Sequence, residues 1–263
     1  MILAETGQSE LFLPLPTPPR AKAATIALFV DIDGTLVDFA ARPDGVVVDD
    51  SLRPMLREVR TRLGGALAAV SGRPLREIDA LLELSSSAAA GLHGAQLRTA
   101  DGTILAVMHD ASQLDPAREL AASMAAAHPG VLVEDKGAAI ALHYRMAPAA
   151  ANDVARAALE MLHTVGPNYE LLHGNHVIEL KPAQTNKGTA LTALMATSPF
   201  IGRTPWMIGD DLTDEDAFER ANELGGVSVI VGPRRPTLAH YALTNPAAAR
   251  AWIASLIEHG DAA

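Results

Sequence analysis

Cysteine is absent from the 263 residues. That absence excludes a disulfide framework, thiolate zinc sites and thiol catalysis, and it suits a reducing cytoplasm, the expected location. Basic residues are scarce: 21 lysines and arginines face 31 aspartates and glutamates, for a formal net charge of −10. Nucleic acid and anionic membranes both call for basic patches, so neither is an expected partner. An anionic substrate would need cations gathered locally. Aromatic residues make up only 4%, yet the hydrophobic share is 49%, enough to bury a core of one large domain or two modest ones. No apolar run approaches the roughly 18 residues of a membrane helix. Glu5 and Glu10 stand where a secretory signal would have its basic start and apolar stretch.

The most informative segment present is Asp31-Ile32-Asp33-Gly34-Thr35, launched from the apolar run Ile26-Ala27-Leu28-Phe29-Val30. Side chains at i and i+2 leave a strand on one side, so Asp31 and Asp33 can face one reacting group. Paired carboxylates repel unless a cation neutralises them, which suggests a divalent ion on oxygen ligands. Gly34 permits a tight turn. Asp and Gly also populate ordinary turns, so the pentapeptide alone leaves both readings open.

Residues 1–23 read as a flexible leader, extended over Pro14-Leu15-Pro16-Thr17-Pro18-Pro19-Arg20. From Ile26, short β-like runs alternate with Ala/Leu-rich helical stretches: strand 26–31, helix 51–63, strand 66–70, helix 74–83, strand 88–92. That alternation predicts a parallel sheet flanked by helices. The rhythm changes after Gly102. Strands are predicted at 103–108, 131–135, 139–145, 169–173 and 176–181, with helices at 115–127 and 148–164. Hairpin turns at Lys136-Gly137 and Gly174-Asn175 point to an antiparallel α+β unit. The first rhythm returns with helix 187–196, strand 205–209, helix 214–224, strand 227–231 and helix 247–259. The expected organisation is a discontinuous core, 24–102 and 183–263, interrupted by a unit at 103–182.

Three more motifs follow predicted strands, where open α/β sheets place their ligand crevice. Ser71-Gly72-Arg73-Pro74 can hold phosphate at a helix N-terminus with Arg73 as a nearby cation, or can simply start a helix with Pro74 at its first position. Lys187 opens a helix against the macrodipole, as an anion in the crevice would favour, although a solvated lysine is the commoner case. In Gly209-Asp210-Asp211-Leu212-Thr213-Asp214-Glu215-Asp216 the helix dipole accounts for Asp214, Glu215 and Asp216. It does not account for Asp210 and Asp211, which with Asp31 and Asp33 form an oxygen-rich set suited to Mg²⁺.

Jointly and in this order, these four segments resemble the haloacid dehalogenase superfamily of phosphotransferases. The resemblance spans nearly the whole chain from about residue 24. It implies an α/β, Rossmann-like core with an inserted α/β cap of the C2 type that selects the substrate. Asp31 would be the nucleophile, and Asp33 would protonate the departing oxygen and later activate water. Mg²⁺ would be held by Asp31, the Asp33 carbonyl and Asp210, supported by Asp211 or Asp214. Ser71 and Lys187 would bind the transferring phosphoryl oxygens.

Within that superfamily, Gly91-Leu92-His93-Gly94-Ala95, Glu134-Asp135-Lys136-Gly137, His143-Tyr144-Arg145 and Glu179-Leu180-Lys181-Pro182 look like the trehalose-6-phosphate phosphatases. By this resemblance Glu134, Lys136, Arg145 and Glu179 contact a small sugar phosphate, together with His143, His93 and Arg73, and a trehalose-6-phosphate synthase is the functional partner. A sugar phosphate offers many hydroxyls, which charged side chains recognise directionally. On strand 139–145, His143 and Arg145 share one face opposite Ile140, Leu142 and Tyr144. Gln96 replaces the acid usual after Gly91–Ala95, and a structural role is expected for it. The alternatives are another sugar phosphate, such as sucrose phosphate or mannosyl-phosphoglycerate, or a non-enzymatic phosphoacceptor. Phosphoacceptor receivers carry no such inserted cap.

Overall fold

The computed structural model describes residues 14–38, 48–106 and 111–258. The first half of the core runs β1 (Ile26–Val30), α1 (Leu52–Arg62), β2 (Leu67–Val70), α2 (Leu75–Leu82), β3 (Ala88–Gly91), β4 (Gln96–Arg98) and β5 (Ile104–Ala106). A second unit follows: α3 (Asp115–Ala127), β6 (Leu132–Asp135), β7 (Ile140–His143), α4 (Ala151–Val165), β8 (Tyr169–Gly174) and β9 (Val177–Pro182). The chain then returns with α5 (Lys187–Met195), β10 (Thr204–Gly209), α6 (Glu215–Glu223), β11 (Val227–Val231), β12 (Tyr241–Leu243) and α7 (Pro246–Glu258).

The large sheet has the order β12-β11-β10-β1-β2-β3-β4-β5. Its six strands from β12 to β3 are parallel, and β1 is central. Both faces of β1 are covered, and all five of its residues are buried, as expected for an apolar strand in a helix-flanked parallel sheet. Register then decides where the chemistry sits. Val30 pairs with Ile208 on one side and with Ala69 on the other. The Asp31 N–H donates to the Ile208 carbonyl at 2.9 Å. Asp31, Ser71 and Asp210 therefore emerge together at the carboxyl edge of three adjacent strands.

The smaller sheet is antiparallel throughout, with the order β6-β7-β9-β8. One face buries Ile140, Leu142, Ile178 and Leu180 against Ala121 and Met124 of α3 and Val154, Ala158 and Met161 of α4. The alternate residues lie on the opposite face, so Glu134, Ala141 and Glu179 form one cross-strand row. Ala141 keeps the middle of that row low.

Several boundaries differ from those expected. The strand anticipated at 103–108 includes β5, which pairs with β4 at the edge of the large sheet, so the core continues past residue 102; 107 and 108 lie outside the described residues. Strands β4 and β12, three residues each, were not anticipated. The described part of the leader is not a free tail: Pro18 is buried and the Pro16 carbonyl accepts the Ala242 N–H at 2.9 Å. Pro74 is the residue before α2, and the first helical N–H, on Leu75, donates to Gln96 Oε1 at 2.8 Å. Gln96 thus caps α2 without a charge. Among the described residues, no helix is long and apolar enough to cross a membrane.

Candidate active site

At the carboxyl edge of the large sheet, Lys187 is buried and its Nζ donates to Asp31 Oδ1 and to Asp214 Oδ1, both at 2.7 Å. Asn186 builds the helix start that places it: its side chain accepts the Thr189 N–H at 2.7 Å, and Thr189 Oγ1 accepts the Asn186 N–H at 3.0 Å. Gly188 is required beside it, since a Cβ there would lie 2.4 Å from the Asp216 carbonyl oxygen. Burial pulls the Lys187 ammonium toward neutrality, but the carboxylates of Asp214 and Asp31 more than reverse this and hold it above its ordinary range. A lysine that looked anomalous at a helix N-terminus is balanced by two acids across the crevice.

Asp31, Asp210 and Asp214 bring one carboxylate oxygen each to within 4.8 Å of one another. Burial pushes the Asp31 carboxyl well above the usual carboxylate range while Lys187 pulls against it, and the charges of Asp214 and Asp210 add to the rise. Asp210 is pushed up to about 7 by burial and by Asp214, with Lys187 and a hydrogen bond from Thr35 opposing. Thr35 Oγ1 donates to Asp210 Oδ1 at 3.1 Å. Three crowded carboxylates set against one lysine leave excess negative charge, and hard oxygen donors at this spacing fit a divalent cation such as Mg²⁺.

The helix dipole accounts for Asp214 in the sequence, and the resemblance leaves Asp211 or Asp214 as the supporting acid. The structure brings Asp214, not Asp211, together with Asp31 and Asp210. Asp214 is fully buried, and its Oδ2 accepts the N–H groups of Asp210 at 2.9 Å and Asp211 at 3.0 Å. Asp211 is exposed and lies outside the carboxylate group. Gly209 makes the arrangement possible, because a Cβ there would fall 2.3 Å from Asp214 Cγ. The Asp33 side chain is likewise outside the group. Arg73 grips it instead, with Nε to Oδ2 and NH2 to Oδ1 both at 2.7 Å.

Ser71 is buried, and its Oγ accepts the Arg73 N–H at 3.2 Å. The loop it occupies is braced by an unusual turn. Leu92 and His93 both adopt left-handed φ, 50° and 53°, followed by Gly94 at 99°. Non-glycine residues there cost on the order of 1–3 kcal/mol each. The turn is held because the Leu92 N–H donates to the Arg73 carbonyl and the His93 N–H to the Ser71 carbonyl, both at 3.0 Å. It presses the imidazole against Gly72, where a Cβ would meet His93 Nε2 at 2.6 Å. Burial, with Lys187, Lys136 and Lys181 around it, holds His93 well below its ordinary pKa, so the ring is neutral.

The cap supplies the other wall. Lys136 Nζ donates to Glu179 Oε2 at 2.8 Å and reaches the Gly72 carbonyl across the crevice at 3.3 Å. Glu179 Oε2 also stands 3.9 Å from His93 Nε2. Glu179 Oε1 and His93 Nδ1 are buried without a protein partner. Two such atoms lining a cleft are the kind of polar group a ligand satisfies. Glu134 pairs with His143 at 2.8 Å; His143 and Lys136, against burial, keep the Glu134 carboxyl below its ordinary range. Arg145 differs from expectation. β7 ends at His143, and Arg145 is an exposed rim residue whose NH2 reaches the Asn175 carbonyl at 3.4 Å. Core and cap residues together line a cleft of about 1260 Å³, in which Asp31, Ser71, His93, Lys136, Glu179 and Lys187 share one floor and wall. That is ample for a disaccharide phosphate.

The roles of Thr35 and Gly209 and the left-handed turn at Leu92–His93 are not legible in the sequence, which offers His93 only as a sugar contact. Thr35 lay inside the first motif, and its hydroxyl was the available signal.

Residues 29–247 match the family model for trehalose-phosphatase. A probable trehalose-phosphate phosphatase of Sinorhizobium fredii is 44% identical over 213 residues, covering 80% of this chain and 79% of that one. The trehalose-6-phosphate phosphatase of Escherichia coli is 42% identical over 220 residues, covering 83% and 82%. The C-terminal domain of the Candida albicans trehalose-6-phosphate phosphatase has the same fold, with a TM-score of 0.78 at 21% identity over 93% of this chain and 99% of that one. The chain belongs to the trehalose-phosphatase family.

Proposed function

We propose that this chain is a Mg²⁺-dependent phosphatase that hydrolyses trehalose 6-phosphate to trehalose and inorganic phosphate through an aspartyl-phosphate on Asp31. The observation that carries this reading is the Asp31–Lys187–Asp214 group lying beneath a cap wall of paired charges, Lys136 with Glu179. The first half prepares a phosphoryl transfer, and the second suits a polyhydroxyl leaving group.

In the first step a carboxylate oxygen of Asp31 attacks phosphorus, and the bond from phosphorus to the sugar oxygen breaks. Asp33 delivers a proton to that oxygen. In the second step Asp33, now ionised, takes a proton from water as the water attacks phosphorus, and the bond to Asp31 breaks to release phosphate. Ser71 and Lys187 hold the phosphoryl oxygens in both steps. Asp31, the Asp33 carbonyl, Asp210 and Asp214 would hold Mg²⁺, which supplies charge neutralisation at the phosphoryl oxygens. Lys136, Glu179, Glu134 and His143 bind the sugar, and His93 offers its unpartnered nitrogen to it. The same reading makes the protein a cytoplasmic enzyme that takes its substrate from a trehalose-6-phosphate synthase.

The test is phosphate release from a panel containing trehalose 6-phosphate, sucrose 6-phosphate, mannosyl-phosphoglycerate and glucose 6-phosphate, with Mg²⁺ present. A clear preference for trehalose 6-phosphate is expected. Comparable rates across the panel would reject the substrate, and no release from any member would reject the enzyme class.

A further inference from the structure

We infer that Arg73 is a positioning residue for Asp33, holding the acid at the angle from which it protonates the departing oxygen, rather than a clamp on the phosphoryl group or a sugar contact. The guanidinium meets the carboxylate in two near-parallel bonds of 2.7 Å, to Oδ2 and Oδ1. A fork of this kind fixes the plane and rotation of the ionised Asp33 carboxylate, the form that takes a proton from water, which a single bond cannot do; when Asp33 carries the proton, its carbonyl oxygen keeps one arm of the fork and its O–H turns to the departing oxygen. Both partners are sheltered, with side-chain exposures of 13% and 29%. Glu77, one turn on, steadies the guanidinium at 3.5 Å.

The backbone of Arg73 is itself fixed. Its N–H donates to Ser71 Oγ, and its carbonyl accepts from Leu92 in the left-handed turn. Orientation is thereby passed from the loop after β2 to the acid after β1. Asp33 has no place in the carboxylate group of Asp31, Asp210 and Asp214, so that group does not orient its side chain.

The inference rests on the phosphatase reading and predicts a particular pattern. A sugar or alkyl alkoxide is a poor leaving group and depends on a well-aimed proton, whereas p-nitrophenolate departs without one. The value of kcat/KM reports steps up to alcohol release, so later hydrolysis of the phosphoenzyme does not obscure it. The experiment compares wild type, Arg73→Gln and Arg73→Lys on propyl phosphate, p-nitrophenyl phosphate and trehalose 6-phosphate, with Mg²⁺.

Arg73→Gln is expected to lose about tenfold or more additional kcat/KM on propyl phosphate than on p-nitrophenyl phosphate, the scale of a misaimed general acid. Arg73→Lys, which keeps the cation but not the fork, is expected to fall between. Equal losses on both simple esters would overturn the assignment in favour of phosphoryl binding. A loss confined to trehalose 6-phosphate would overturn it in favour of a sugar contact. A wild type inactive on all three would overturn the phosphatase reading as well.

Discussion

Asp210 is a residue whose proton affinity is set by its company. Held at about 7 by burial and by Asp214, it is half protonated near neutrality in the metal-free protein. A cation needs it ionised, so proton and Mg²⁺ compete. With Asp31 raised as well, affinity for Mg²⁺ is expected to rise with pH through about 7, falling by about tenfold or more per pH unit below it. Calorimetry in buffers of different ionisation enthalpy should register proton release on Mg²⁺ binding at pH 6; pH-independent affinity between 5.5 and 7.5 would contradict the assignment. Gly209 is the second test at this scale. A methyl group there would stand 2.3 Å from Asp214 Cγ, so Gly209→Ala must displace a fully buried carboxylate that three donors hold. Denaturant unfolding is expected to show a loss of about 1–3 kcal/mol together with weakened Mg²⁺ binding; a wild-type midpoint would mean that the site relaxes freely.

The cap sheet is the element where alternation along a strand becomes specificity. Glu134, Ala141 and Glu179 lie in one row, and the turn between β6 and β7 swings Lys136 onto both Glu179 and the Gly72 carbonyl. Lys136→Ala leaves Glu179 buried without its partner, whereas Arg145→Ala removes a solvent-exposed group from the rim. The expected loss in kcat/KM for trehalose 6-phosphate, relative to a small generic ester, is about 2–4 kcal/mol for Lys136→Ala and under about 1 for Arg145→Ala. Matching losses on both kinds of substrate would show instead that Lys136 serves folding or the chemical step. Both hairpins of this sheet were legible, because Lys136-Gly137 and Gly174-Asn175 interrupt clear alternations. Arg145 was not. The strand pattern runs on to it, but β7 stops at His143 and the Ala147 N–H closes a turn on the Tyr144 carbonyl at 2.9 Å. β4 and β12 are not legible in the sequence because a three-residue strand has too few positions to show a period. Pairing with neighbours far along the chain makes them strands.

For the whole molecule, a central parallel strand, its register and an inserted cap bring residues from both ends of the chain to one crevice. The alternating apolar runs made this discontinuous core readable, and the four motifs made the crevice readable. The internal economy of the site was not. The sequence leaves Asp214 as a dipole partner or as an alternative to Asp211 at the metal, because local sequence cannot show that Gly209 clears room for its carboxylate or that Lys187, 27 residues earlier, will reach it. Arg73 looked like a phosphate cation because the fork onto Asp33, 40 residues earlier, exists only once β1 and β2 lie side by side. The account as a whole stands on Asp31 becoming phosphorylated. Its most direct test is to quench the enzyme in acid during turnover of trehalose 6-phosphate with Mg²⁺, reduce the acyl phosphate with borohydride and map the peptides by mass. Conversion of the residue at position 31 to homoserine is the predicted result. Undiminished phosphate release with Asp31 unmodified in every peptide would contradict it.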